Sequence, residues 1–290
     1  MLSLHTNIAS NRIQSALGGT QQKFATSMTR LGTGYRINSA SDDAAGLQIG
    51  TRLLSQSRGM VVAMQNTQNA TSMLQTAEGA FAETENVLHR MRDLALQSAD
   101  ASYTQSDRLA MQQEYSALGS ELRNVMAGTS YGGEKLLDVQ GGTAKLGQAL
   151  RFQIGDTSGE TMTFDVSQAL SEIDDQFKQV SAMYQGAGDP QELTHDAAQS
   201  RVYAMVAARA LSAVSKLRGE IGAGQNRLSH IASNLSNMMN NTKDAEGQIR
   251  DVDYASETAN MTKLSILQQA GGSMLTQSSK MSQLVLSLVQ

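Results

Sequence analysis

Cysteine and tryptophan are absent from this 290-residue chain, proline occurs once, and aromatic residues make up only 4% of it. Without cysteine there is no disulfide scaffold, no thiolate zinc site and no thiol nucleophile. One proline and so few aromatics argue against a β-sandwich or barrel, whose many short strands need punctuated turns. No apolar run approaches the roughly 18 residues of a transmembrane helix, so membrane insertion is not expected. The start, Met1-Leu2-Ser3-Leu4-His5, has neither the basic nor the apolar segment of a secretory signal. A net charge of −4 gives no electrostatic basis for nucleic-acid binding. His5, His89, His195 and His230 are scattered rather than clustered, and no Gly-x-Ser-x-Gly elbow occurs. The adjacent acids Asp42-Asp43 precede Ala-Ala-Gly and read as a helix cap rather than an acid/base pair. No catalytic residue, metal site or cofactor is expected, and the chain does not read as an enzyme.

What is abundant points to helices. The hydrophobic fraction is 40%, with 16 methionines, and such Ala-, Gln-, Leu- and Met-rich sequence favours long uninterrupted helices. Leu74, Ala77, Phe81, Thr84, Leu88, Met91 and Ala95 follow a 3-4 alternation, the seam of a coiled coil. Val214, Leu217, Ile221, Gly224, Leu228, Ile231, Leu235 and Met238 follow another, extended by Thr242, Ala245, Ile249 and Val252. Gly224 marks a defect or a close approach. A third helix is predicted over about 104–127, starting at Ser106 or Asp107, with Leu109, Met111, Leu118, Leu122 and Val125 inward. Glycines between 128 and 190 break the pattern. Phe152–Ile154 and Met162–Val166 alternate around a turn-rich link and predict a β-hairpin. A short helix is expected over 168–184, and Asp189-Pro190-Gln191-Glu192 reads as the start of another.

The two ends differ from the middle. Residues 1–41 carry Arg12, Lys23, Arg30 and Arg36 but no acid; residues 258–290 carry Lys263 and Lys280 but no acid. Both are amphipathic: Leu2, Leu4, Ile8, Ala9, Ile13, Ala16, Leu17, Phe24, Met28 and Leu31 at one end, and Met261, Leu264, Leu267, Ala270, Met274, Leu275, Leu284, Leu286 and Leu288 at the other. Gly18-Gly19 and Gly271-Gly272 are expected weak points. Each end is too short to bury a core alone, so the two stripes are expected to pack together. The expected fold is mainly α: a long coiled-coil helical rod with a small β-hairpin region, and N- and C-termini paired in an inner helical domain. The expected division is 1–43, 44–255 with the hairpin segment at about 128–190, and 256–290.

Several longer strings carry a family resemblance. Residues 30–49, Arg-Leu-Gly-Thr-Gly-Tyr-Arg-Ile-Asn-Ser-Ala-Ser-Asp-Asp-Ala-Ala-Gly-Leu-Gln-Ile, closely resemble the N-terminal signature of bacterial flagellins, with Gly32 and Thr33 where paired serines are usual. Arg90–Ala99, Gly224–Leu228, Asp251–Ala255, Ile266–Gly271 and Val285–Gln290 resemble further flagellin segments in order. The resemblance covers about 1–140 and 200–290; the middle is too short for the large outer domains of long flagellins.

The resemblance implies a structural subunit that self-assembles into the extracellular flagellar filament for motility. It implies export of the unfolded chain, polymerisation at the tip, and partners comprising other subunits, an export chaperone, a filament cap and hook–filament junction proteins. The implied self-assembly residues are Leu4, Ile8, Ile13, Leu17, Arg36, Ile37, Asn38, Leu264, Leu267, Leu275, Leu284, Leu286 and Leu288. A vertebrate Toll-like receptor is a further implied partner, with Arg90, Leu94, Gln97 and Glu114 as contact candidates. The acid-free ends are expected to order only on assembly. A hook–filament junction protein and a cytoplasmic signalling hairpin are the competing readings.

Overall fold

The computed structural model describes residues 7–186, 191–194 and 196–289, with the helical backbone alone for 281–289. Among the described residues six α-helices dominate: α1 (Ile8–Thr33), α2 (Ala44–Ser98), α3 (Gln105–Gly128), α4 (Ser167–Val180), α5 (Ala197–Arg250) and α6 (Tyr254–Val289). Between α3 and α4 lie four short strands, β1 (Ser130–Tyr131), β2 (Glu134–Lys135), β3 (Leu150–Gln153) and β4 (Thr161–Phe164). The chain divides into two compact units, one of residues 58–239 and one joining 1–57 with 240–290.

In the 58–239 unit α2 and α5 run antiparallel. Leu74 approaches Gly224 and Ser98 meets Ser200, while Ala63 clusters with Leu235. All seven residues of the first predicted seam, Leu74 through Ala95, are buried, Thr84 included. The Thr84 hydroxyl avoids an orphaned polar group by donating to the Ala80 carbonyl at 2.8 Å. The second seam is buried from Val214 to Leu228 and again at Leu235, but Met238 is exposed. Its neighbour Met239 packs instead against the small cluster of Met60, Ala63 and Leu235. Arg218 ties the helices from outside, donating to Glu78 at 2.7 Å and to Glu85.

Helix α3 begins one residue before the expected start, because Thr104 and Asp107 form a capping box. The Asp107 amide donates to Thr104 Oγ1 and the Thr104 amide to Asp107 Oδ2. Leu109 is exposed rather than inward; it is the fifth residue of the helix, ahead of the first buried position at Met111. The β3–β4 hairpin pairs Phe152 with Met162 and Leu150 with Phe164. The β1–β2 hairpin, two residues a side, had too little alternation to be read beforehand. Helix α4 ends at Val180, and Ala182–Gln185 continue as a 3-10 turn. Ile173, Phe177 and Val180 face inward.

The expected helix start at Asp189–Glu192 is not where α5 begins. Asp189 and Pro190 lie outside the described residues, while residues 192–194 form a turn. Asp196 opens α5, its Oδ1 accepting from the Gln199 amide at 2.7 Å. Glu192 is buried instead, accepting from Gln112 Nε2 at 2.5 Å and from the Ala182 amide at 2.9 Å. Gln112 returns the contact by accepting from the Leu193 amide at 2.7 Å.

Gly224 is a close-approach position. A Cβ there would fall 2.7 Å from the Phe164 ring and 3.4 Å from Leu74 Cδ1, so the neighbour is the hairpin as much as a helix. Alanine in mid-helix gains about 1 kcal/mol of propensity over glycine, yet crowding a packed core costs about 1–3 kcal/mol. Gly224→Ala is therefore expected to lower stability slightly and Gly224→Val by at least about 2 kcal/mol, read from urea midpoints of the 58–239 transition. A Val variant as stable as the parent would contradict this packing.

Candidate functional site

The unit joining the two ends is built on α1 and α6, which lie antiparallel. Asn7 meets Ser278, Leu17 packs over Gly271, Ser27 meets Asn260, and Arg30 pairs with Glu257 at 3.7 Å. Asn7 caps α1 by accepting from the Ser10 amide at 3.0 Å, and Gly34 ends it with φ 76°. Neither glycine pair breaks its helix. Gly271 has a packing use: a Cβ there would sit 3.1 Å from Leu17 Cδ1.

The apolar residues at the two ends do not form one stripe. Shielded positions on α1 recur as Ile13, Leu17, Thr20, Phe24, Ser27 and Leu31; those on α6 recur as Glu257, Met261, Leu264, Gln268, Gly271 and Leu275. Both are 3-4 alternations, so this is a two-helix seam. Among the described residues only Ser27 of α1 is fully buried, and Leu264 is 7% exposed. The remaining apolar residues point away: Ile8 is 58% exposed, Met28 55%, Ile266 60%, Leu267 48% and Met274 63%. Expecting Ile8, Met28, Leu267 and Met274 to join the intrachain stripe was therefore wrong. A single partner helix covers only the narrow a/d face, and the sequence pattern had merged two stripes into one.

On α6 the outward set is itself ordered, with Leu267, Ala270 and Met274 at 3-4 spacing and Ile266 beside them. A shallow groove at its start is lined by Tyr254, Ala255, Thr258, Ala259, Thr262, Lys263 and Ile266. Ile266, Met28 and Met274 were not among the candidate assembly residues; on α6 the offset second alternation is the signal that sets Met274 apart from the seam.

The strings around Arg36 and Asp251 meet in a small junction. Tyr35 and Asp251 form an antiparallel bridge; the Arg36 amide donates to the Arg250 carbonyl at 2.6 Å, and the Val252 amide to Gly34 at 3.0 Å. Arg36 Nη2 donates to the Ile249 carbonyl at 2.6 Å, satisfying an end group of α5. The Arg250 guanidinium lies 4.5 Å above the Tyr35 ring, a cation–π contact. Ile37 is buried, and Asn38 Nδ2 donates to the Tyr35 carbonyl at 2.8 Å. Thus Arg36, Ile37 and Asn38 all have intrachain roles. Of the other candidates, Ile13, Leu17, Leu264 and Leu275 line the seam, and Ile8 and Leu267 face outward. Leu4 and the side chains of Leu284, Leu286 and Leu288 lie outside the described residues.

The receptor candidates divide. Arg90 and Glu114 form an exposed bidentate pair, with Nε–Oε1 at 2.6 Å and Nη2–Oε2 at 2.9 Å. Gln97 is exposed, whereas Leu94 is buried in the core. Among the described residues no cluster of potential metal ligands occurs and no helix is long and apolar enough to cross a membrane.

Two family models match the chain: the bacterial flagellin N-terminal helical region over residues 4–141 and the bacterial flagellin C-terminal helical region over 205–289. Flagellin B of Vibrio cholerae is 34% identical, with 99% of each chain aligned. Flagellin A of Vibrio anguillarum is 32% identical, with 100% of each chain aligned. Among solved structures, a Bacillus cereus flagellin matches at 27% identity and TM-score 0.48, covering 59% of this chain and 88% of that one. A putative flagellar hook-associated protein from Vibrio parahaemolyticus matches in fold, with TM-score 0.55 at 17% identity over 72% of this chain and 100% of that one.

The junction has a pH signature. Asp42 accepts from the Ser39 amide at 2.9 Å and the Asn38 amide at 3.1 Å, and these bonds, Ser39 foremost, hold its pKa below the ordinary 3.8. Because the folded pKa is depressed, the turn's contribution is complete above about pH 4 and is lost as pH falls through the lower folded value. Hydrogen exchange of the Ser39 amide is expected to lose protection on acidification below that range, and Asp42→Ala is expected to abolish the step. An unchanged acid step in the variant would refute the assignment.

Proposed function

The chain belongs to the bacterial flagellins and is a structural subunit of the flagellar filament; from that premise we propose that the outward stripe of α6 is the contact it offers to another copy. The observation that carries this is the pair of offset alternations on α6, one engaged by α1 and one open. Fully burying a side chain of the Leu or Met kind contributes about 1.5–3 kcal/mol. Ile266, Leu267 and Met274 on α6 together with Ile8 and Met28 on α1 thus hold roughly 4–8 kcal/mol of unused burial per subunit. That is on the scale of a whole domain's net stability, about 5–15 kcal/mol. A contact between one patch and a different patch of the next copy does not close on itself and propagates as a helix.

Within this reading the domains are 1–43, 44–255 and 256–290, and the terminal helices order as copies add. The thin α1–α6 seam supports that coupling, since few of its residues are fully buried. The subunit leaves the cell unfolded and is secreted to the filament tip. The export chaperone, cap and hook–filament junction proteins are its transient partners. Arg36, Ile37 and Asn38 act by setting the path between α1 and α2, while Ile13, Leu17, Leu264 and Leu275 act by holding the seam. The exposed Arg90–Glu114 pair with Gln97 is the patch offered to a Toll-like receptor. Leu94 supports it from beneath.

Two measurements test these assignments. Leu267→Asp is expected to stop elongation of filament seeds while leaving the melting of the 58–239 unit unchanged; normal elongation would sink the α6 contact. Arg90→Ala is expected to weaken binding to the receptor ectodomain at least about tenfold, a loss of roughly 1.4 kcal/mol. Unchanged affinity would remove that pair from the contact.

A further inference from the structure

The described methionines range from buried to widely exposed, with Met64, Met183, Met238, Met239 and Met261 in between. Met60, Met73, Met91, Met111, Met126 and Met162 are buried in the 58–239 unit. Met28 and Met274 are more than half exposed and belong to the unit of the terminal helices; Met205 is equally exposed in the other unit. A thioether packs well in apolar contacts and is also open to two-electron oxidation when a peroxide can reach it. Met274 shares the outward stripe of α6 with Leu267 and Ala270, while its neighbours Gly271 and Leu275 face the seam with α1. A change at Met274 Sδ therefore alters the open face and leaves the seam intact.

We propose that Met274, with Met28 as a second position, is an oxidation site at which hydrogen peroxide decides whether a free subunit can enter the polymer. The inference rests on the reading that another copy covers the α6 stripe. In the step, a sulfur lone pair attacks one peroxide oxygen and the O–O bond breaks. That oxygen stays on sulfur as the sulfoxide, and the other leaves as water after taking up the proton. The thioether is oxidised by two electrons and the peroxide is reduced. The product places a strong acceptor on an apolar stripe shared with Ile266, Leu267 and Ala270, and burying such a group unpaired opposes association. Once incorporated, the same sulfur is covered by the next copy and is shielded from peroxide.

The test uses the full-length chain. Subunits are partially oxidised with hydrogen peroxide and added to filament seeds, and the pelleted and unincorporated fractions are compared by peptide mass spectrometry. The expected result is sulfoxide at Met274 depleted about 5–10-fold in the pellet, the size expected of one buried unpaired polar group. Sulfoxide at Met28 is depleted in the same direction, and that at Met205 partitions evenly. Equal partition at Met274, or equal depletion at Met205, would overturn the proposal. The Met28→Leu/Met274→Leu variant, a nearly volume-conserving change, is expected to elongate seeds after peroxide as it does before. Inhibition as deep as in the parent would also overturn it. Failure of untreated parent subunits to elongate seeds would instead remove the assembly reading itself.

Discussion

Two helices packed against each other can cover only one narrow stripe of each. That limit governs the unit that joins the chain's ends. The 58–239 unit adds a third long helix, a short helix and a hairpin to its α2–α5 pair, and so encloses Phe81, Leu88, Met91, Leu122 and Leu217 almost completely. The end unit gives α1 and α6 chiefly each other. Ile13, Leu17 and Leu264 find cover, and Ile266, Leu267 and Met274 do not. This deficit of burial is the feature on which the proposed subunit contact rests. A helix pair with an open apolar face gains stabilisation when that face is covered.

The junction between residues 34–38 and 246–253 is the polar counterpart of that deficit. Here the chain leaves α1 and turns into α2, and α5 gives way to α6, so several backbone groups would be left without partners. Arg36, Asn38, Asp42 and Asp43 supply them: Arg36 to the end of α5, Asn38 to Tyr35, Asp42 to the turn, and Asp43 to the Gly46 amide at 2.9 Å. Gly50 lets the Arg250 side chain lie close, since a Cβ there would fall 2.7 Å from its Cδ. The starts of the Arg-Ile-Asn-Ser-Ala and Asp-Val-Asp-Tyr-Ala strings are therefore held side by side by the bonds that join Gly34–Arg36 to Ile249–Val252.

Much of this was legible beforehand where one physical signal dominated. The α2 seam from Leu74 to Ala95 is legible because one continuous core buries that face and the 3-4 alternation runs through it without a break. The β3–β4 hairpin was read from its alternation and its turn. The terminal stripes were misread because hydrophobic periodicity reports every apolar face of a helix and does not say which face a partner will reach. Leu109 and Met238 failed for a related reason: each lies where a buried face is starting or ending. The start of α5 was obscured by a strong local signal at Asp189–Glu192, while tertiary contacts took Glu192 into the core beside Gln112.

The most direct test of this account is residue-level carbene footprinting of positions 254–280, carried out on free subunits and on assembled filaments. If the outward stripe of α6 is the face another copy covers, labelling at Ile266 and Leu267 falls several-fold on assembly. If those two residues label in filaments as strongly as in free subunits, the open stripe is not the polymer contact and the account is wrong.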